Sequence, residues 1–103
     1  MMLFAVSYGK TKQGPSWSTV RRSYWKQRAA IAAEGEFSPE NLERMSQGKG
    51  PLHEELGVCK ELHHKVPQSQ GGTHHPSNLQ EVWPWEHEAI DPYRHYIGPR
   101  PTP

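Results

Sequence analysis

A chain of 103 residues with 33% hydrophobic residues, ten prolines and nine glycines is sized for one small, loop-rich domain with a modest core. A lone cysteine, Cys59, excludes an internal disulfide framework and any zinc finger built on cysteine pairs, and no apolar run reaches the length of a membrane-spanning helix. The net charge of +1 conceals an asymmetry: residues 1–36 carry six Lys or Arg against two Glu, whereas residues 37–103 carry six against nine acids.

Residues 3–8 alternate loosely enough for a short strand, and residues 9–15 read as a loop. The first residues are too few, and lack the basic start, for a secretory signal; export is therefore expected to need a larger carrier or a dedicated machine. Over residues 19–34, Val20, Tyr24 and Ile31 mark one apolar helical stripe, with Ser16 or Ser18 as cap and Gly35 as stop. Arg21, Arg22 and Lys26 make this basic arm the better phosphate contact, since Lys and Arg supply most sequence-independent affinity for nucleic acid. A solvated helix face is the plain alternative. A second helix begins at Ser38, with Pro39 in its first turn and Glu40 at the positive end of the dipole, and ends at Gly48. Residues 46–58 form an irregular connection or a β-hairpin approach to the next strand. Strands are expected at 60–66 and 79–83, and Pro84 opens a last helix.

The chemistry concentrates between Glu61 and Asp91. Side chains alternate along extended backbone, so the adjacent His63 and His64 point to opposite sides: one ring is available to a metal while its neighbour faces water. His87 and Asp91, at i and i+4, share a helix face and complete three protein ligands, which leaves a coordination position open as a catalytic metal requires. Pro92 disfavours α conformation at Asp91 and frays the helix there, so His95 is the alternative third ligand. Gln70-Gly71-Gly72-Thr73 supplies a tight reversal with positive φ, and the Asn78 amide is suited to pin it. Mixed nitrogen and oxygen donors suit Zn²⁺, Mg²⁺, Mn²⁺ or Ni²⁺, so one divalent ion is expected, its identity open.

The runs ELHHKVPQSQGG, SNLQEVWPWEH and IDPYRHY resemble the HNH/endonuclease VII superfamily with its ββα-metal fold, most closely the nuclease domains of colicins and of Rhs-type polymorphic toxins. A weaker echo of those toxins lies in Phe37 to Met45 and Gly48-Lys49-Gly50-Pro51. The resemblance implies an α+β protein: a ββα-metal core over residues 59–96, helical and loop support with a basic arm in 1–58, and a Pro-rich tail in 97–103. It makes His63 and His87 metal ligands, His64 the general base, Asn78 the middle residue of the signature, and Glu61 the acid that orients the site. It also implies a largely nonspecific DNA endonuclease, with RNA as a further substrate to consider. Such a domain would be the toxic tip of a bacterial competition system, carried by a larger delivery protein into the target-cell cytoplasm. Its expected partner is a cognate immunity protein, acidic to complement the basic arm.

Two departures stand out. The colicin pattern ends in a second helix histidine where this chain has Asp91. The arginine that colicin nucleases place shortly before the acid is missing from Gly57-Val58-Cys59-Lys60, which leaves Lys60, Lys65 or Arg94 to contact phosphate. Two other classes share part of the pattern: a phage-encoded or restriction-type HNH nuclease, and a non-catalytic zinc-stabilised nucleic-acid-binding module with Cys59, His63, His87 and His95 as ligands. An isolated histidine pair is ordinarily surface or packing; the joint spacing with Gly71-Gly72, Asn78 and His87 makes it a candidate site. His53, His74 and His75 have no assigned partner and default to solvent or nucleic-acid contact. Trp17, Trp25, Trp83 and Trp85 suit a core better than base stacking, and Cys59 is assigned to packing.

Overall fold

Ser16 sits in extended conformation and accepts a hydrogen bond from the Thr19 amide, which starts α1 (Trp17–Ala30) earlier than the apolar stripe suggests. In the computed structural model, which describes residues 15–102, this helix is the first element. The strand expected at residues 3–8, and nearly all of the loop expected at 9–15, lie outside the described residues.

The helix stops at Ile31 rather than at Gly35. Ala33 donates its amide to the Glu36 carboxylate at 2.9 Å, Glu36 returns its own amide to the Ala33 carbonyl at 3.0 Å, and Arg28 grips the same carboxylate. These local bonds compete with a further helical turn. Ile31 is consequently 58% exposed, and the buried face consists of Val20 and Trp25, each 1% exposed, with Tyr24 half-buried beside them. The expected stripe was thus right at Val20 and wrong at Ile31.

Ser38 caps α2 (Pro39–Ser46) by accepting from the Asn41 amide, with Pro39 at its start. The chain reverses at Gly48, whose φ of +85° is glycine territory and whose Cβ position lies 3.0 Å from the Arg22 Cβ, so the two helices meet closely there. Asn41, buried, exchanges two hydrogen bonds with the Leu52 backbone at 2.8 and 2.9 Å and fixes the irregular connection. Of the hairpin considered for residues 46–58, a single bridge between Leu52 and Cys59 forms.

The sheet is antiparallel: β1 (Glu61–His64) pairs with β2 (Leu79–Val82), setting Glu61 opposite Val82, Leu62 opposite Glu81, His63 opposite Gln80 and His64 opposite Leu79. Leu62, His64, Leu79 and Glu81 therefore share one face, and Glu61, His63, Gln80 and Val82 the other. The first face meets α1. Leu62 and Leu79 complete the core with Trp25 and Met45, and Glu81 accepts hydrogen bonds from Tyr24 Oη at 2.6 Å and Arg28 Nε at 2.9 Å. Burial, reinforced by Glu81, pushes the Tyr24 phenol well above its usual range, so it remains a donor.

The second face meets α3 (Pro84–Ile90), which Glu86 caps by accepting from the Trp83 amide at 2.7 Å. Asp91 ends that helix in extended conformation, as the following Pro92 demands. The described residues thus form an α+β arrangement of three α-helices and one two-stranded antiparallel sheet, and none of these helices is long and apolar enough to cross a membrane.

The burial difference between the two large side chains of the first helical segment has a measurable consequence. In urea denaturation, Trp25→Ala is expected to cost about 3–5 kcal/mol, whereas Ile31→Ser should stay within about 0.5 kcal/mol of the unaltered protein.

Candidate functional site

The two strands are joined by a loop that returns the chain to where it left. Beyond β1, the Lys65 amide donates to the Asn78 carbonyl at 2.8 Å and the Val66 amide to Asn78 Oδ1 at 2.8 Å. Asn78 Nδ2 donates in turn to the carbonyls of Val66 at 3.1 Å and Thr73 at 2.8 Å. One amide side chain therefore ties together the exit of the first strand, the far side of the loop and the entry to the second. Gly71 turns with φ +88°, and a Cβ on Gly72 would lie 1.7 Å from the Val66 carbonyl oxygen, so only glycine allows the loop to fold this tightly.

On the α3 face of the sheet, His63, His87 and Asp91 present donor atoms that all lie within 4.8 Å of one another. Asp91 Oδ2 stands 3.4 Å from His87 Nε2 and 4.0 Å from His63 Nδ1. His87 donates its Nδ1 hydrogen to Glu61 Oε1 at 2.8 Å, since a carboxylate accepts only, and Nε2 is the ring nitrogen left to face the group. This is the outer-sphere carboxylate that metal-ligating imidazoles commonly carry. Two imidazole nitrogens and a carboxylate oxygen, half-buried and convergent, can hold one divalent ion.

Glu61 is held from a second side by Arg94, with Nε donating to Oε1 at 3.1 Å and Nη2 to Oε2 at 2.8 Å. Burial works to raise the Glu61 carboxyl pKa, but the hydrogen bonds from Arg94 and His87 outweigh it and hold the group below the usual carboxylate range. Arg94, one of the residues expected on phosphate, is thus committed to this carboxylate, which raises its own pKa. His95 is exposed and stands outside the donor group, so the third donor is Asp91. Cys59 is exposed rather than packed, its thiol against the Gly50 and Lys60 carbonyls; the ligand set of Cys59, His63, His87 and His95 does not assemble among the described residues.

On the α1 face, His64 Nε2 lies 2.9 Å from His74 Nδ1. The Trp17 ring packs on both, with centroids 4.6 Å from His64 and 5.1 Å from His74. His74, expected without a partner, has one. Burial lowers the His64 pKa first, and the neighbouring His74, His63 and His87 lower it further; burial alone lowers that of His74. Burial and His87 likewise lower His63, against an opposing pull from Asp91. Neutral imidazoles are the resting state around pH 7.

The candidate phosphate contacts divide. Arg21, Arg22, Lys26 and Lys65 are exposed, and the Arg21 guanidinium stands 6.0 Å from the Trp17 ring centroid. Lys60 instead lies over Trp83 at 4.6 Å and lines a separate groove of about 390 Å³ with Phe37, Glu54 and Glu55. Of the tryptophans only Trp25 is fully buried; Trp83 and Trp85 stack on each other at 5.8 Å, with the edge of His53 against both. His53 Nδ1 also accepts from the Glu55 and Leu56 amides, so this residue is structural. In comparison with known proteins, no family model and no curated protein matches this chain.

Calorimetric titration with Zn²⁺ is expected to show one site, abolished by His63→Ala or His87→Ala and unchanged by His95→Ala. Glu61→Gln, which weakens the hold on His87, should lower affinity by about 10–100-fold.

The imidazole shifts also set a pH dependence in the metal-free protein. A group whose pKa is lower folded than unfolded binds fewer protons in the native state, so stability rises with pH between the two values. Stability in EDTA should be level well above the ordinary imidazole value of 6.5 and fall as the pH drops below it, as His63, His64 and His74 take up protons. A further loss belongs to Glu61, beginning near the ordinary carboxyl value of 4.5 and continuing to its lower folded value. Urea titrations across this range measure both.

Proposed function

We propose that this chain is a metal-dependent endonuclease that hydrolyses DNA phosphodiester bonds with little sequence preference, of the HNH kind that its sequence resembles. The observation that carries this reading is one short strand bearing, on consecutive residues, a donor to a three-membered metal-binding group and a half-buried imidazole on the other face.

His63, His87 and Asp91 would hold the ion. When bound, a divalent cation supplies Lewis-acid stabilisation of negative charge on phosphate oxygens and the departing oxygen. His64 accepts a proton from the attacking water; the water oxygen bonds to phosphorus as the bond to the 3′ oxygen breaks, and that oxygen takes a proton from solvent, leaving 5′-phosphate and 3′-hydroxyl ends. Glu61 and Arg94 orient His87, and Asn78 fixes the strand exit beside His64. Arg21, beside Trp17, and Lys65, next to His64 in sequence, are exposed and bind the phosphate backbone without reading bases. The chemistry uses no 2′-hydroxyl, which is why DNA is the proposed substrate.

The biological setting proposed with it is that of a polymorphic-toxin tip, delivered within a larger protein to the target-cell cytoplasm and neutralised in its producer by an acidic immunity protein. Supercoiled-plasmid digestion with Mg²⁺, Mn²⁺, Ni²⁺ and Zn²⁺, beside an EDTA control, tests the activity. Cleavage in at least one metal, lost in EDTA, is expected. His64→Ala should lose about 10²–10⁴-fold in rate while keeping fold and Zn²⁺ binding. No cleavage in any metal overturns the nuclease reading, and undiminished cleavage by His64→Ala removes that residue from its role.

A further inference from the structure

We infer that His74 is a positioning residue for His64: its Nδ1 accepts the His64 Nε2 hydrogen and so leaves His64 Nδ1 as the free lone pair. The inference rests on the proposed role of His64 as proton acceptor. At 2.9 Å the two nitrogens share one hydrogen, and two assignments are open. If His74 donates, His64 must carry its hydrogen on Nδ1, and proton uptake at its bonded Nε2 would destroy the contact. If His64 donates, uptake at Nδ1 leaves the Nε2–H bond unchanged, and nothing reorganises. Among the described residues no hydrogen-bond partner meets His64 Nδ1, so that atom is available.

The surroundings hold the pair in this relation. Trp17 walls both rings, inclined 51° to His64 and 35° to His74. The residue before His74 is fixed twice: Asn78 Nδ2 holds the Thr73 carbonyl, and Thr73 Oγ1 accepts from the His75 amide at 3.3 Å. The close fold at Gly72 brings that part of the loop back against Val66. Asn78 and Gly72 thus govern where His74 sits as well as where the strand ends. In serine hydrolases a buried aspartate fixes the tautomer of the catalytic imidazole; here a neutral imidazole does so without adding negative charge beside an incoming phosphodiester.

Nitrogen-15 NMR on the metal-free full chain near neutral pH reads the tautomer directly. Wild-type His64 is expected as the Nε2–H form, and His74→Ala should give a mixture. In plasmid cleavage, with the metal that best supports it, His74→Ala and His74→Phe should lower kcat by about 10–100-fold, with KM and Zn²⁺ affinity unchanged. His74→Asn, whose amide oxygen can take the place of Nδ1, should recover most of kcat. An Nδ1–H tautomer in the wild type, or wild-type kcat in His74→Phe, overturns the inference. A wild-type protein that cuts nothing in any metal overturns instead the nuclease reading, and the catalytic consequence with it; the tautomer then decides the contact by itself.

Discussion

Side chains alternate along β1, so the adjacent imidazoles of His63 and His64 leave the backbone in opposite directions and meet different helices. His63 joins His87 and Asp91 beneath α3, while His64 joins His74 and Trp17 beside α1. A slip of one residue in the pairing with β2 would exchange these faces, placing His64 among carboxylates and His63 against tryptophan. Everything that fixes the register therefore also fixes the chemistry. Leu62 and Leu79 do so by burial in the core, and Asn78 does so from the loop side.

The core available for this task is small. Six hydrophobic side chains are buried among the described residues, and the rest of the cohesion is polar and long-range. Glu81 joins Tyr24 and Arg28 to the sheet, Glu61 joins α3 and the segment after it to β1, and Asn41 joins α2 to the connection at Leu52. These carboxylates are partly shielded and accept from charged or phenolic donors, which makes each bond stronger than an exposed ion pair. The cost of losing one donor is correspondingly higher, since the acceptor stays shielded with no replacement.

Local signals in the sequence were legible wherever a short-range rule decides the outcome. Ser38 with Pro39, Pro84 at the head of α3 and Pro92 at its end placed helix boundaries, and alternation separated the two histidines. Ile31 was misplaced because α1 has no sharply apolar stripe and its end is set by the return of Glu36 onto Arg28 and Ala33, a side-chain event that no helical period encodes. Arg94 and Glu61 stand 33 residues apart, and His74 reaches His64 only through the fold of the glycine loop. Such pairings depend on tertiary closure, so residue spacing announced the three-donor group and the resemblance named Glu61 beside it, but neither announced Arg94 on Glu61 or His74 on His64.

Arg94 on Glu61 also settles the charge at the proposed site. Glu61 and Asp91 place two carboxylates at this group against the one guanidinium of Arg94. In the proposed reading, a divalent cation held there supplies the positive charge that attracts a phosphodiester. Were Arg94 free to contact phosphate, the group around Glu61 would be more negative and His87 less firmly oriented. With Arg94 committed to the carboxylate, the exposed Arg21, Arg22, Lys26 and Lys65 are the cations left for the proposed backbone binding. Orientation of the metal group and the proposed capture of nucleic acid thus fall to different cations.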